Sequence, residues 1–104
     1  MYLLNHIINS HKPIVVKTLN GQYTKGENVI FSDGVSIEDD CIIGNNCKIG
    51  KNTIIKNSII WDNVKIADNL TIENAIILSN TKIENPIRNQ IISEDKLKEH
   101  LITV

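Results

Sequence analysis

The chain has 104 residues, 41% of them hydrophobic and 22% charged, with a formal net charge of -1. That is one folding unit of globular composition, neither disordered nor built to span a membrane with helices. A charge this near neutral argues against nucleic acid or an anionic membrane as main partner, since both require a basic surplus. Aromatics are scarce at 4%, while Ile supplies 21 residues and Asn 14. Ile favours pleated surfaces and Asn tolerates the left-handed backbone, so strands joined by many tight turns are expected. Two cysteines make no disulfide framework, which suits a reducing, cytoplasmic setting. No export signal is expected at the amino end, because Asn5 and His6 interrupt the apolar stretch from Met1 to Ile8.

Residues 1–27 read as an amino-terminal cap. Tyr2, Leu3, Leu4, Ile7 and Ile8 share one helical face, and Pro13 prevents the helix from continuing. Ile14 to Leu19 reads as a strand, with Asn20-Gly21 as a hairpin-type turn.

Residues 28–84 carry an internal repeat. One apolar residue recurs almost every sixth position: Phe31, Ile37, Ile43, Ile49, Ile55, Ile60, Ile66, Ile72, Ile77 and Ile83. Two positions before each stands a compact or aliphatic residue: Val29, Val35, Cys41, Cys47, Thr53, Ser58, Val64, Leu70, Ala75 and Thr81. Three positions before each stands a turn former: Asn28, Gly34, Asp40, Asn46, Asn52, Asn57, Asn63, Asn69, Asn74 and Asn80.

Strand side chains alternate, so each hexad predicts a short strand with two inward residues and a corner at the Asn, Asp or Gly. Three such strands close a triangular coil, and successive coils stack about 4.8 Å apart. The step shortens to five from Ile55 to Ile60 and again from Ile72 to Ile77, so the pattern returns on itself at every seventeenth position. At that offset Lys51 to Ile66 matches Asp68 to Ile83 at eight of sixteen positions. An amphipathic helix is excluded, because paired inward positions at period six fit no 3.6-residue face.

Residues 85–104 read as a carboxy-terminal cap. Pro86 interrupts the last hexad, and Ser93 is placed to cap a short helix. Glu94 and Asp95 would stand in its first turn, with Leu97 and Leu101 on its buried side. Both ends fit the need of a repeat array to close its open core.

The stretches Ile43-Gly44-Asn45-Asn46-Cys47 and Ile49-Gly50-Lys51-Asn52-Thr53 carry an aliphatic-Gly-x-Asn-small pattern. In this the chain resembles the hexapeptide-repeat proteins. The resemblance implies an all-β fold, a left-handed parallel β-helix with short helical or hairpin caps. About three coils are expected, each of roughly 17–18 residues. A narrower likeness rests on Asn57-Ser58-Ile59-Ile60-Trp61-Asp62-Asn63-Val64-Lys65-Ile66 followed by Glu73-Asn74-Ala75-Ile76-Ile77. These segments resemble the carboxy-terminal β-helix of sugar-phosphate nucleotidyltransferases and of related exchange-factor subunits of translation initiation. In those proteins the β-helix follows a catalytic or catalytic-like α/β domain, often through a short helix that Met1 to Ile8 would represent. The family's Gly-rich nucleotide loop and acidic metal site have no counterpart in this sequence, so no catalytic, cofactor or metal residue is carried over. The chain is expected to be the tail of such an enzyme or an independent protein built like it.

Stacking at the coil offset sets the outward residues in columns. Ile42, Ile59 and Ile76 form one, flanked by Trp61 and Leu78. Five large apolar side chains on one outer face predict either a flank folded over them or an interface. The interface would join identical subunits, a trimer being favoured, or dock a catalytic domain. Lys48, Lys65 and Lys82 form a second column, either simply solvated or facing an anionic partner. The third, Ser36, Ile54 and Thr71, is uninformative.

Cys41 and Cys47 take inward positions and read as core packing. The histidines, His6, His11 and His100, all lie in the flanks. Hexapeptide acyltransferases use a histidine on the coil surface as general base, and their carbonic anhydrase relatives bind zinc through three. Neither arrangement has an obvious candidate here, and surface roles are the simpler expectation. The leading expectation is a non-catalytic module for oligomerisation or docking. The alternative is a small acyltransferase using acyl-coenzyme A between trimer subunits.

Overall fold

The computed structural model describes residues 14–18 and 21–94. In chain order the strands are β1 (Ile14–Thr18), β2 (Gly21–Lys25), β3 (Ile30–Phe31), β4 (Ser36–Ile43), β5 (Lys48–Ile49), β6 (Ile54–Lys56) and β7 (Ile59–Ile60). They continue with β8 (Lys65–Ile66), β9 (Thr71–Glu73), β10 (Ile76–Ile77), β11 (Lys82–Ile83), β12 (Ile87–Arg88) and β13 (Ile91–Ile92). The helix expected over Met1 to Ile8 lies outside the described residues, as do Asn20 and the positions Asp95, Leu97 and Leu101 of the carboxy-terminal cap.

Apart from the antiparallel hairpin of β1 and β2, every pairing is parallel. The ladders run along three faces of a left-handed parallel β-helix. The first face stacks β2, the second half of β4, β7, β10 and β13. The second stacks β3, β5, β8 and β11. The third stacks the first half of β4, β6, β9 and β12. About four coils result, one more than the hexad count predicts, because the ladders continue past Pro86 to Ile92. The last coil is short. Ile87 pairs with Ile72 and Ile91 with Ile76, an offset of 15 where the coil above has 17. The chain loses two residues at the Pro86 corner, and that loss takes the final rung out of the repeat's phase.

The inward residues make the core. Ile43, Ile60 and Ile77 stack on the first face, Ile49, Ile66 and Ile83 on the second, and Ile55 and Ile72 on the third, all buried. Burying such a side chain contributes about 2 kcal/mol, so the period-six isoleucines are the main stabilising term. The compact inward positions carry polar atoms, and these are satisfied locally. Thr53 Oγ1 donates to the Ala67 carbonyl (2.8 Å) and accepts from the Leu70 amide (3.3 Å). Ser58 Oγ likewise donates to the Lys56 carbonyl (2.8 Å) and accepts from the Ala75 amide (3.1 Å). At the amino end the core is closed by Tyr23 and Phe31, packed edge to face with centroids 5.8 Å apart.

Corners fall where the turn formers predict, with one correction. Among the described residues every non-glycine position with positive φ is Asn or Asp: Asn28, Asp39, Asn46, Asn52, Asn57, Asn63, Asn69, Asn74, Asn80 and Asn89. The corner residue is Asp39 (φ 58°), not Asp40. Two residues separate Glu38 from Cys41, whereas one separates Lys56 from Ser58 and Glu73 from Ala75. The first of the two takes the left-handed turn, and the second rejoins the strand. Asn89 repeats the corner once more in the final coil.

Candidate interaction face

The outward residues of the first face form one continuous column. Thr24 lies beside Ile42, Ile42 beside Ile59, Ile59 beside Ile76 and Ile76 beside Ile91. Val15 of β1 stands opposite Thr24 and extends the column to the edge strand. β-Branched side chains suit such stacking because they stand stiffly off a pleated surface. Two positions beyond Ile59 and Ile76 come Trp61 and Leu78, held in the next column by amide bonds from Trp61 to the Ile77 carbonyl and from Leu78 to the Ile92 carbonyl, both 2.9 Å.

All five residues singled out by the coil arithmetic, Ile42, Ile59, Trp61, Ile76 and Leu78, therefore share one face. Ile42 is 46% exposed, Trp61 39% and Leu78 37%, while Ile59 and Ile76 are half-buried by their neighbours. Ile91, 52% exposed, belongs to the same column and escapes the coil arithmetic. A full coil step from Ile76 leads to Ser93; only the shortened last coil brings Ile91 into line.

The column above Trp61 is held by Gly44. A Cβ there would meet the Trp61 carbonyl carbon at 2.8 Å and the Asp62 amide nitrogen at 2.9 Å. The corner is tied down by Asp62, whose Oδ1 accepts the Asn45 amide at 2.8 Å. Gly44 therefore sets no side chain of its own over the Trp61 position.

On the other side of the isoleucine column runs a shallow groove of about 650 Å³. Its apolar wall is Ile42, Ile59 and Ile76, and its polar wall is Asp40, Asn57 and Asn74. The small inward residues Ser58 and Ala75 set its floor low. The amide wall is a hydrogen-bonded ladder: Asn57 Nδ2 donates to Asn74 Oδ1 (2.7 Å), and Asn74 Nδ2 to Asn89 Oδ1 (3.1 Å).

The other faces carry charge in two arrangements. On the second, Lys48, Lys65 and Lys82 stand in register with Ile30 at their head. On the third, Ser36, Ile54 and Thr71 stack beside a column that alternates in sign: Glu38, Lys56, Glu73 and Arg88. Arg88 Nε lies 3.6 Å from Glu73 Oε1.

Cys41 and Cys47 are free and buried, in the core positions expected of them. Burial pushes both thiols above their ordinary pKa, which keeps them protonated and poor nucleophiles. Cys47 Sγ donates to the Trp61 carbonyl at 3.0 Å. Among the described residues no three His, Cys, Asp or Glu side chains are grouped to hold a metal ion, and His6, His11 and His100 lie outside those residues. Likewise no helix among them is long and apolar enough to cross a membrane.

A family model described as the EIF2B subunit epsilon LbH domain, LbH denoting the left-handed β-helix, matches residues 9–96. No curated protein matches the chain.

Proposed function

Because the chain belongs to the family of EIF2B subunit epsilon LbH domains, we propose that it is a non-catalytic assembly module. The observation that carries this reading is the apolar outer column of Ile42, Ile59, Ile76 and Ile91 with Trp61 and Leu78 beside it. An apolar strip of this length is costly in water and gains by burial against another surface. Tryptophan next to branched aliphatic residues is the composition of an interface centre. The partner is a further copy of the chain, with a threefold arrangement favoured, since three triangular prisms can pack side by side about parallel axes.

The module's setting follows from the resemblance to sugar-phosphate nucleotidyltransferases and exchange-factor subunits, in which such a β-helix follows a catalytic-like α/β domain. Here it would organise the assembly of nucleotidyltransferase-like chains. Two free, protonated thiols suit the reducing, cytoplasmic setting expected from composition.

Light scattering after size-exclusion chromatography tests the reading. The chain is expected to run as an oligomer at micromolar concentration, and the double variant Ile59→Asp/Trp61→Asp as a folded monomer. An unchanged assembly state in that variant sinks the interface. A monomeric parent chain assigns the face to docking a different domain instead.

A further inference from the structure

The two charged columns differ in a way the fold does not require. On the third face, acid and base alternate from coil to coil, and each charge has an opposite neighbour in register. On the second face three lysines stand in register, Lys48 beside Lys65 and Lys65 beside Lys82. Like charges directly opposite in a ladder repel. The only ion pair any of them makes among the described residues is Lys82 Nζ to Glu84 Oε1 at 3.8 Å, between two well-exposed side chains. The same solenoid thus alternates charge along one column and sets like charges side by side in the other.

The surroundings of the lysines define what anion would fit there. At the head of the column Ile30 is exposed and in register with Lys48. On one side lie small residues, Ser32, Gly50 and Ala67, in which the Ser32 amide donates to the Ile49 carbonyl and the Gly50 amide to the Ile66 carbonyl. The same column ends in Glu84 beside Lys82, so the backbone is open to close approach only from Ser32 to Ala67. On the other side lie the corner amides, with Asn28 Nδ2 donating to Asn46 Oδ1 at 3.0 Å.

We propose that this face receives an extended acidic segment of a partner protein, with its carboxylates over Lys48, Lys65 and Lys82 and an apolar side chain on Ile30. A polypeptide fits better than a nucleic acid. The one aromatic on the described strands of this face, Phe31, is turned inward against Tyr23, the head of the column is apolar, and the chain as a whole carries a net charge of -1. The surface is separate from the apolar column of the first face, so the two assignments stand or fall independently.

The test uses the full chain and a fluorescein-labelled peptide of one leucine followed by alternating glutamate and serine, read by fluorescence anisotropy. Binding is expected at about 0.05 M salt and should weaken about tenfold by ~0.5 M, as screening shortens the reach of the charges. Lys65→Glu gives the second face the alternating pattern of the third. It is expected to abolish peptide binding while raising the melting temperature of the free chain by about 3 °C. Ile59→Asp/Trp61→Asp, on the other face, should leave binding unchanged. No binding of the peptide by the parent chain overturns the proposal, as does binding undiminished in Lys65→Glu. An unchanged or lowered melting temperature in that variant also overturns it, because the ladder would then hold no repulsion to relieve. Tighter binding of an oligouridine than of the peptide overturns it in favour of nucleic acid.

Discussion

Asn57 and Asn74 occupy the same corner one coil apart, and Asn57 Nδ2 donates to Asn74 Oδ1 across 2.7 Å. Both backbones are left-handed, with φ of 48° and 50°. Each asparagine therefore does two things. Its backbone turns the chain from the third face to the first, and its amide ties one coil to the next. Few side chains tolerate that backbone while offering both a donor and an acceptor. The abundance of Asn in the sequence follows from this double requirement.

Asn74 is the middle of the ladder, accepting from Asn57 and donating to Asn89. Asn74→Ala removes both side-chain bonds and places a Cβ in an unfavourable backbone region, at an expected cost of about 2 kcal/mol. Asn74→Gly removes the same bonds without the backbone penalty and should cost about half as much. Urea midpoints of the two variants separate the contributions. Equal losses would mean that the left-handed backbone carries no weight at this corner.

Gly50 lies beneath no side chain of its own, and the chain below comes close. An added Cβ would meet the Ala67 carbonyl carbon at 2.5 Å and its oxygen at 2.6 Å. Gly50→Ala should therefore destabilise the fold by about 2 kcal/mol through forced separation of two coils. Ala67→Ser, in the same column one coil on, adds only a hydroxyl to an exposed residue and should stay within about 0.5 kcal/mol of the parent. Thermal unfolding of the pair decides whether the tight contact, rather than the column, sets the cost.

Much of this architecture is legible in the sequence because a solenoid converts periodicity directly into contact. Ile43, Ile60 and Ile77 recur at every seventeenth position, and they stack. The outer column of Ile42, Ile59 and Ile76 follows from the same spacing. What stays hidden is whatever departs from one fixed offset. The two-residue corner shifts the left-handed position to Asp39, and the shortened last coil hides Asn89, Ile91 and the fourth coil. The alternating column is hidden at two of its three steps: Lys56 meets Glu73 at the regular offset of 17, but Glu38 meets Lys56 at 18 and Glu73 meets Arg88 at 15. A corner gained or lost costs a solenoid little, yet it displaces every later residue from its expected column. The candidate face was legible as a set of exposed apolar residues. Its groove was not, since the amide wall appears only when corner geometry is known.

Lys56 stands between Glu38 and Glu73 on the third face. Lys56→Glu would set three carboxylates in a row and is expected to cost about 1 kcal/mol at low salt. Added salt should restore most of that loss, because these side chains are reached by solvent and their repulsion is screened. Urea midpoints at two salt concentrations provide the check. A cost that salt leaves untouched would point to lost packing of the lysine stem rather than to charge.

The buried thiols make stability depend on alkaline pH in a defined direction. Desolvation by burial is the main cause raising both pKa values, with the carboxylates of Asp39 and Asp40 adding to it at Cys41 and that of Asp62 at Cys47. Backbone hydrogen bonds oppose it, from Ser58 and Asn57 at Cys41 and chiefly from Val64 at Cys47. A thiol whose folded pKa lies above its unfolded value holds its proton longer in the fold than in the unfolded chain. Its contribution is therefore complete below the ordinary value of 9.0 and is lost as pH rises through the folded value. The parent chain is expected to lose stability as pH rises above about 9, and Cys41→Ala/Cys47→Ala to lose less over the same rise. The two proteins differ only at the sulfur atoms, so the difference between their urea midpoints isolates the thiols. Parallel pH profiles would show that the two sulfur atoms reach water as easily in the fold as outside it.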